Sequence, residues 1–272
     1  MSNPHPLQVE RRGSGVPILC LHGHPGSGSA MAVFTEPLST RYHTLAPDLR
    51  GYGQSQVQDP FEMADHIADL EALLDREGIE ECLILGWSLG GILAMELALR
   101  NPQRYRGLIL IGTAARPRGN YPPIPWWEYV NTGIAGLING VKPGWQWNID
   151  TFGTRSLFRR LLKQHTPTAY HYLAHAGTPA YLRTSRHAHR ALNTALRQGY
   201  NRLADLPTLT MPCLMVAGAD DINITAQSSQ ETAQTLPRCD WHCFPNTAHL
   251  FPWEVPNAMN ETIHAWLRQQ NL

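Results

Sequence analysis

"LILGWSLGGILAMELAL", residues 83–99, decides the fold. An apolar, strand-like run stops at Gly86. A Trp and a lone Ser follow, then two glycines, then a new apolar run of helical character. A tight strand-to-helix turn crowds the positions two before and two after its apex. Glycine at 86 and 90 removes the Cβ atoms that would clash there. Ser88 at the apex then projects its hydroxyl clear of the sheet, and the helix starting near Leu89 aims its first N–H groups at the same spot. This is the geometry of an exposed nucleophile. The alternative is a serine that caps a helix, beside glycines kept for packing.

Working outward, short apolar runs recur at 16–21, 42–47, 82–86, 107–112, 212–218 and 241–245. They are near-continuous rather than alternating, which predicts a parallel sheet covered on both faces. Helices are expected over 61–77, 89–100, 226–235 and 257–270. In the first, Ile67, Leu70, Leu73 and Leu74 form one apolar stripe. Strand and helix in alternation mean an α/β, mostly parallel, doubly wound architecture. Residues 117–205 break the rhythm: a Pro-rich, aromatic entry, "RPRGNYPPIPWWEY", leads into helix-like segments such as 155–165 and 187–198. We read 117–205 as a helical cap inserted in a core domain made of 1–116 and 206–272.

A serine hydroxyl needs a base, and the base an orienting acid. For a Ser on such an elbow the chain order is Ser, then Asp or Glu, then His. His249, in "FPNTAHLFPWEVP", follows the strand at 241–245 and is the candidate base; a surface or capping histidine is the alternative. Two acids follow the strand at 212–218, Asp220 and Asp221. We take Asp221, and Asp220 as a turn residue. Two N–H donors must face the developing oxyanion. The backbone of Leu89 is one. The backbone of His24, in "LHGHPGSGS", is the other, while His22 holds the loop by hydrogen bonding. Trp87, Trp126 and Trp127, with Trp145, Trp147 and Phe152, are candidates for the wall of an apolar acyl pocket or for the core of the cap.

Five ordered stretches, "LHGHPGS" (21–27), "PDLRGYGQS" (47–55), "LGWSLGG" (85–91), "GADD" (218–221) and "NTAHLFPWEVP" (246–256), resemble the α/β-hydrolase family. The resemblance implies Ser88, Asp221 and His249 as triad, the His24 and Leu89 N–H groups as oxyanion hole, and a helical lid between the family's strands six and seven, where 117–205 falls. It implies no cofactor. Ser rather than Asp at 88 argues against the dehalogenase and epoxide-hydrolase branches. The expected reaction is hydrolysis of a small-molecule carboxylic ester through an acyl-enzyme. Lactone, amide or C–C cleavage, perhydrolysis, or a non-catalytic binding role are the alternatives.

The totals exclude several other classes. Lys+Arg and Asp+Glu are both 22, so nothing in the whole chain points to nucleic acid. No apolar run is long enough for a membrane span, and "MSNPHPLQVERRGSG" lacks the apolar core of a leader. Cys20, Cys82 and Cys213 sit in apolar runs, and the Cys239/Cys243 pair lacks companions for a metal site. Five cysteines without a framework fit a reducing, cytoplasmic setting. Charge is nonetheless lopsided, with eleven Lys/Arg against three acids in 117–205. With "GWSLGG", such a basic lid is similar to the esterases that demethylate pimeloyl-acyl-carrier protein, which would imply an acidic carrier as partner. The alternative is a set of solvated helix faces.

Overall fold

The computed structural model describes residues 3–272. Met1 and Ser2, where the segment read for a leader begins, lie outside the described residues. Seven strands form: β1 (Val9–Arg12), β2 (Val16–Leu21), β3 (Tyr42–Pro47), β4 (Cys82–Trp87), β5 (Tyr105–Ile111), β6 (Cys213–Gly218) and β7 (Cys239–Phe244). They make one sheet in the order β1-β3-β2-β4-β5-β6-β7, and only β1 runs antiparallel to its neighbour. The helices are α1 (Ala32–Leu38), α2 (Met63–Arg76), α3 (Leu89–Arg100), α4 (Trp126–Val141), α5 (Gln146–Thr151), α6 (Pro167–Tyr172), α7 (Thr178–Leu182), α8 (Arg186–Arg197), α9 (Ala226–Thr235), α10 (Phe251–Glu254) and α11 (Pro256–Gln269).

Successive residues of a strand point to opposite faces, so an apolar run feeds two cores at once. In β5, Leu108 and Leu110 join a core with α2, α3 and α9, whereas Ile109 and Ile111 join one with α1 and α11. The buried cysteines follow the same rule: Cys82 and Cys213 lie in the first core and Cys20 in the second. This is the doubly wound, mostly parallel α/β architecture that the run of apolar strands implies.

Two features depart from the expectations. First, β1 ("VERR") reads as a charged segment, because only Val9 of the four faces the core. It is an edge strand, registered against β3 from Val9↔Pro47 to Arg12↔Thr44, and its charges guard the open edge. Second, 155–165 is not a helix. Ser156 is extended (φ −86°, ψ 174°) and divides two short 3-10 turns, Gly153–Arg155 and Leu157–Arg160. The insert falls at the expected residues, between β5 and β6 of the seven strands. Helices α4–α8 all lie in it.

Backbone bonds are among those that hold the insert to the core. The Arg202 N–H donates to the Ala115 carbonyl (2.9 Å), and the Ser185 N–H to the Gly51 carbonyl (2.8 Å). Between them, Ala188, Ala191 and Leu192 of α8 are buried in the first core.

Candidate active site

β4 delivers the turn to Ser88, whose backbone sits at φ 53° and ψ −115°. A non-glycine residue there is strained and persists only where its surroundings leave no alternative. They leave none. A Cβ on Gly86 would meet the Gly90 carbonyl oxygen, and one on Gly90 would meet the Leu21 carbonyl oxygen, each nearer than any real contact. The Ser88 N–H donates to the Ile111 carbonyl (2.8 Å), which ties the turn to β5.

Ser88, His249 and Asp221 meet as expected. The Ser88 hydroxyl donates to His249 Nε2 at 3.2 Å, and His249 Nδ1–H donates to Asp221 Oδ2 at 2.7 Å. All three side chains are buried. The other carboxylate oxygen of Asp221 accepts the N–H groups of Asn223 (2.8 Å) and Ile224 (3.1 Å), so the acid is held by backbone on its far side. Asp220 is the exposed member of the pair and forms an ion pair with Lys163 (3.3 Å). Trp87 packs 5.6 Å from the His249 ring and edge-on to Trp253, and Tyr172 stacks on Trp253.

The loop after β2 is pinned by groups from the "PDLRGYGQS" stretch. His22 Nε2 accepts the Leu49 N–H (3.1 Å), so its proton is on Nδ1, donated to the Gly23 carbonyl (2.8 Å). Asp48 accepts the N–H groups of Gly28 and Gln54, both at 2.7 Å. A Cβ on Gly23 would come within 3.1 Å of the Ser88 Cβ, so this loop lies directly against the Ser88 turn. Leu89 is the first residue of α3, and its N–H has no acceptor within the helix.

The His24 ring bridges core and insert. Among the described residues the Tyr52 hydroxyl has one hydrogen-bond partner, His24 Nδ1 at 2.7 Å, so the phenol donates to it. His24 Nε2–H then donates to His189 Nδ1 on α8, 2.9 Å away. Burial, first, and the facing histidines, second, push the pKa of His24 down to about 3. Burial also pushes His22 to about 4 and His66 to about 3.

Ser88, His249, His24 and Leu89 open on a cavity of about 370 Å³. Trp87 lines it, as expected. Trp126 and Trp127 do not: Trp126 is 75% exposed on the outer side of α4, and Trp127 takes the Arg159 guanidinium over its ring. Trp145, Trp147 and Phe152 also lie outside the lining, packed on one another. The wall is instead Ile92, Phe158, Leu161, Tyr172, Leu192 and Leu196 among others, with no Lys, Arg, Asp or Glu.

Sequence reasoning missed Glu254. It is buried, and its carboxylate accepts three backbone N–H groups: Ala248 at 2.9 Å, Lys163 at 3.0 Å and Gln164 at 2.6 Å. Burial raises its carboxyl pKa, and the N–H bonds pull it back. Beside it, the Leu250 N–H donates to the Leu161 carbonyl (2.9 Å). The loop carrying His249 is therefore bound to the insert on both sides of the imidazole. The letters "WE" were legible, but nothing in them signals three converging donors.

The model of the alpha/beta hydrolase family matches residues 18–262. The chain belongs to the alpha/beta hydrolase family. It is an enzyme of that family, with the family's sheet. A pimeloyl-[acyl-carrier protein] methyl ester esterase of Vibrio parahaemolyticus is 25% identical over 258 residues, covering 89% of this chain and 91% of that one. Its counterpart in Aeromonas hydrophila is 34% identical over 113 residues, an alignment that spans 40% of this chain and 42% of the relative. A solved thermophilic esterase from Thermogutta terrifontis, with malate bound, superposes with a TM-score of 0.72 at 25% identity, covering 98% of this hydrolase and 94% of that chain.

Two outcomes follow for this hydrolase. Replacing Glu254 by Gln turns one accepting oxygen into a donor facing N–H groups. Thermal or urea unfolding should then show a loss of about 1–3 kcal/mol, and kcat should fall about tenfold through misplacement of His249. An unchanged kcat in a folded variant would refute that coupling. The buried histidines give a pH signature. Unfolded histidine titrates near 6.5, while these stay neutral to about 3–4 in the fold. Below about pH 6.5 the unfolded chain therefore binds more protons, and stability falls as pH falls, by at most ~1.4 kcal/mol per pH unit per histidine. His66→Phe should flatten the dependence of unfolding free energy on pH between about 6.5 and 4.

Proposed function

We propose that this enzyme hydrolyses uncharged carboxylic esters of short to medium acyl chain through an acyl-enzyme on Ser88. The observation that carries this reading is the bonded chain Ser88–His249–Asp221 opening on a cavity without a charged side chain. Its volume is at the small end of ligand sites, which suits a modest acyl group and offers a charged one no partner.

In this reading Ser88 Oγ attacks the ester carbonyl carbon while His249 Nε2 takes the hydroxyl proton. Asp221 holds the imidazole in the right tautomer and stabilises the imidazolium. The negative charge that develops on the carbonyl oxygen meets the N–H groups of His24 and Leu89; in known enzymes each such donor is worth roughly 2.7–4 kcal/mol of barrier. The tetrahedral species collapses, the C–O bond breaks, and His249 returns the proton to the departing alcohol. Water repeats the route, and the acid leaves. Residues 117–205 serve as the cap, since Phe158, Leu161, Leu192 and Leu196 roof the cavity from that segment.

One observation favours a second reading, an ester presented on an acidic carrier. Arg186, Arg190 and Arg197 recur at helical spacing on α8, exposed, beside the face that turns Leu192 and Leu196 into the cavity. Arg159 and Arg160, in contrast, are engaged by Glu128. Arg190→Glu with Arg197→Glu should slow turnover of a carrier-bound ester at least tenfold while p-nitrophenyl butyrate is spared; equal effects would remove the carrier.

The main reading is tested with a fluorophosphonate probe and a panel of p-nitrophenyl esters. Ser88→Ala should abolish labelling and lower turnover by roughly 10⁶-fold. Butyrate and hexanoate should be cleaved faster than palmitate. No labelling of the native enzyme, or flat and negligible activity across the panel, would reject it.

A further inference from the structure

The outer face of α4 has no task in the chemistry above. Trp126 (75% exposed), Val130, Leu137 (78%) and Val141 (88%) recur along it at helical spacing, with Tyr129 alongside. Gly133, Gly136 and Gly140 lie between them with open space where a Cβ would stand. The helix carries one charged residue, Glu128, and that one is buried. Beyond its end, Trp145 and Trp147 are both exposed. An uncovered apolar ridge of this length, about 24 Å at 1.5 Å per residue, is not an ordinary solvated surface.

Cations border the ridge. Lys142 follows the last residue of α4 and lies 4.7 Å from the Trp145 ring centre. Arg155 is exposed in the segment bonded to α4, where Asn131 Nδ2–H donates to its carbonyl (3.3 Å). Arg159 stands over Trp127. Asp150 is the one exposed acid in this neighbourhood, and Gln146 donates to it (2.8 Å). Behind these stands the whole insert, with eleven Lys/Arg against three acids.

We propose that the exposed face of α4, with Trp145 and Trp147 beside it, seats this enzyme on an anionic lipid surface. Exposed apolar and tryptophan side chains on neighbouring segments, bordered by Lys and Arg, match the interface between acyl chains and phosphate headgroups. A protruding ridge, with open space at Gly133, Gly136 and Gly140, fits a yielding surface. A second copy is disfavoured by charge, because stacking α4 on α4 would bring two basic inserts together. The attachment is peripheral: no helix among the described residues is long and apolar enough to cross a membrane. The inference is independent of which bond the enzyme cleaves.

The test is flotation of the 272-residue enzyme with unilamellar vesicles of phosphatidylcholine alone or mixed with phosphatidylglycerol, at about 0.1 M and about 1 M salt. Co-flotation with the mixed vesicles at the lower salt, weakened at the higher, with a blue shift of tryptophan emission, is the expected result. Leu137→Glu with Val141→Glu should cut the bound fraction roughly tenfold and leave turnover of soluble p-nitrophenyl butyrate unchanged. Ser88→Ala should float as the native enzyme does, which separates the seating from the chemistry. Absence of flotation, equal flotation with uncharged vesicles, or flotation untouched by the two glutamates would each overturn the proposal. So would a concentration-dependent dimer that the glutamates dissolve in the absence of vesicle binding, which would give the face to a second copy.

Discussion

The site depends on a backbone that would not adopt its conformation if left alone. Ser88 at φ 53° is held because every neighbouring surface is already in contact: β2 against Gly90, Gly90 against Gly86, and the loop of Gly23 against Ser88 itself. Strain of about 1–3 kcal/mol is stored at such a residue, and the packed sheet supplies it. What the strain achieves is direction. The hydroxyl leaves the sheet toward the cavity while its own N–H stays bonded to β5.

Around that point, three loops from distant parts of the chain are each fastened by backbone donors rather than by long side chains. Asp221 is held by the N–H groups two and three residues on, the loop of His24 by Asp48 and His22, and the loop of His249 by Glu254. Backbone groups lose little freedom when they bond, so the imidazole and the carboxylate are already arranged before a substrate arrives. The neutral, buried histidines fit the same logic. His22 must accept from Leu49 and donate to Gly23, and a second proton on its ring would break the first of these bonds.

Legibility followed the scale of the interaction. The parallel strands and the α2, α3, α9 and α11 helices were readable because apolar runs and 3.6-residue stripes are local signals. The turn at Ser88 was readable because steric crowding admits little but glycine at 86 and 90. Asp221 was preferred over Asp220 from its place in the turn, and it is the one bonded to His249. The edge strand Val9–Arg12 was not readable, since one buried side chain in four carries no pattern. Trp126 and Trp127, unlike Trp87, were misread for a related reason: aromatic content predicts burial in general, but both lie outside the cavity, on surfaces that only the packing of α4 decides. Glu254 and His189 act through partners some 90 and 165 residues away in the chain, at Gln164 and His24, and no window of sequence contains both ends.

Two of the seams between insert and core have a mechanical corollary. One joins His189 to the ring beside the proposed oxyanion donors; the other joins Lys163 and Gln164 to the carboxylate next to the imidazole loop. A hinge that swung the roof aside would tug on both halves of the reactive centre at once. Admission of a bulkier guest and fidelity of the chemistry thus share their fasteners, and a chain of this design widens its doorway only by loosening its own workbench.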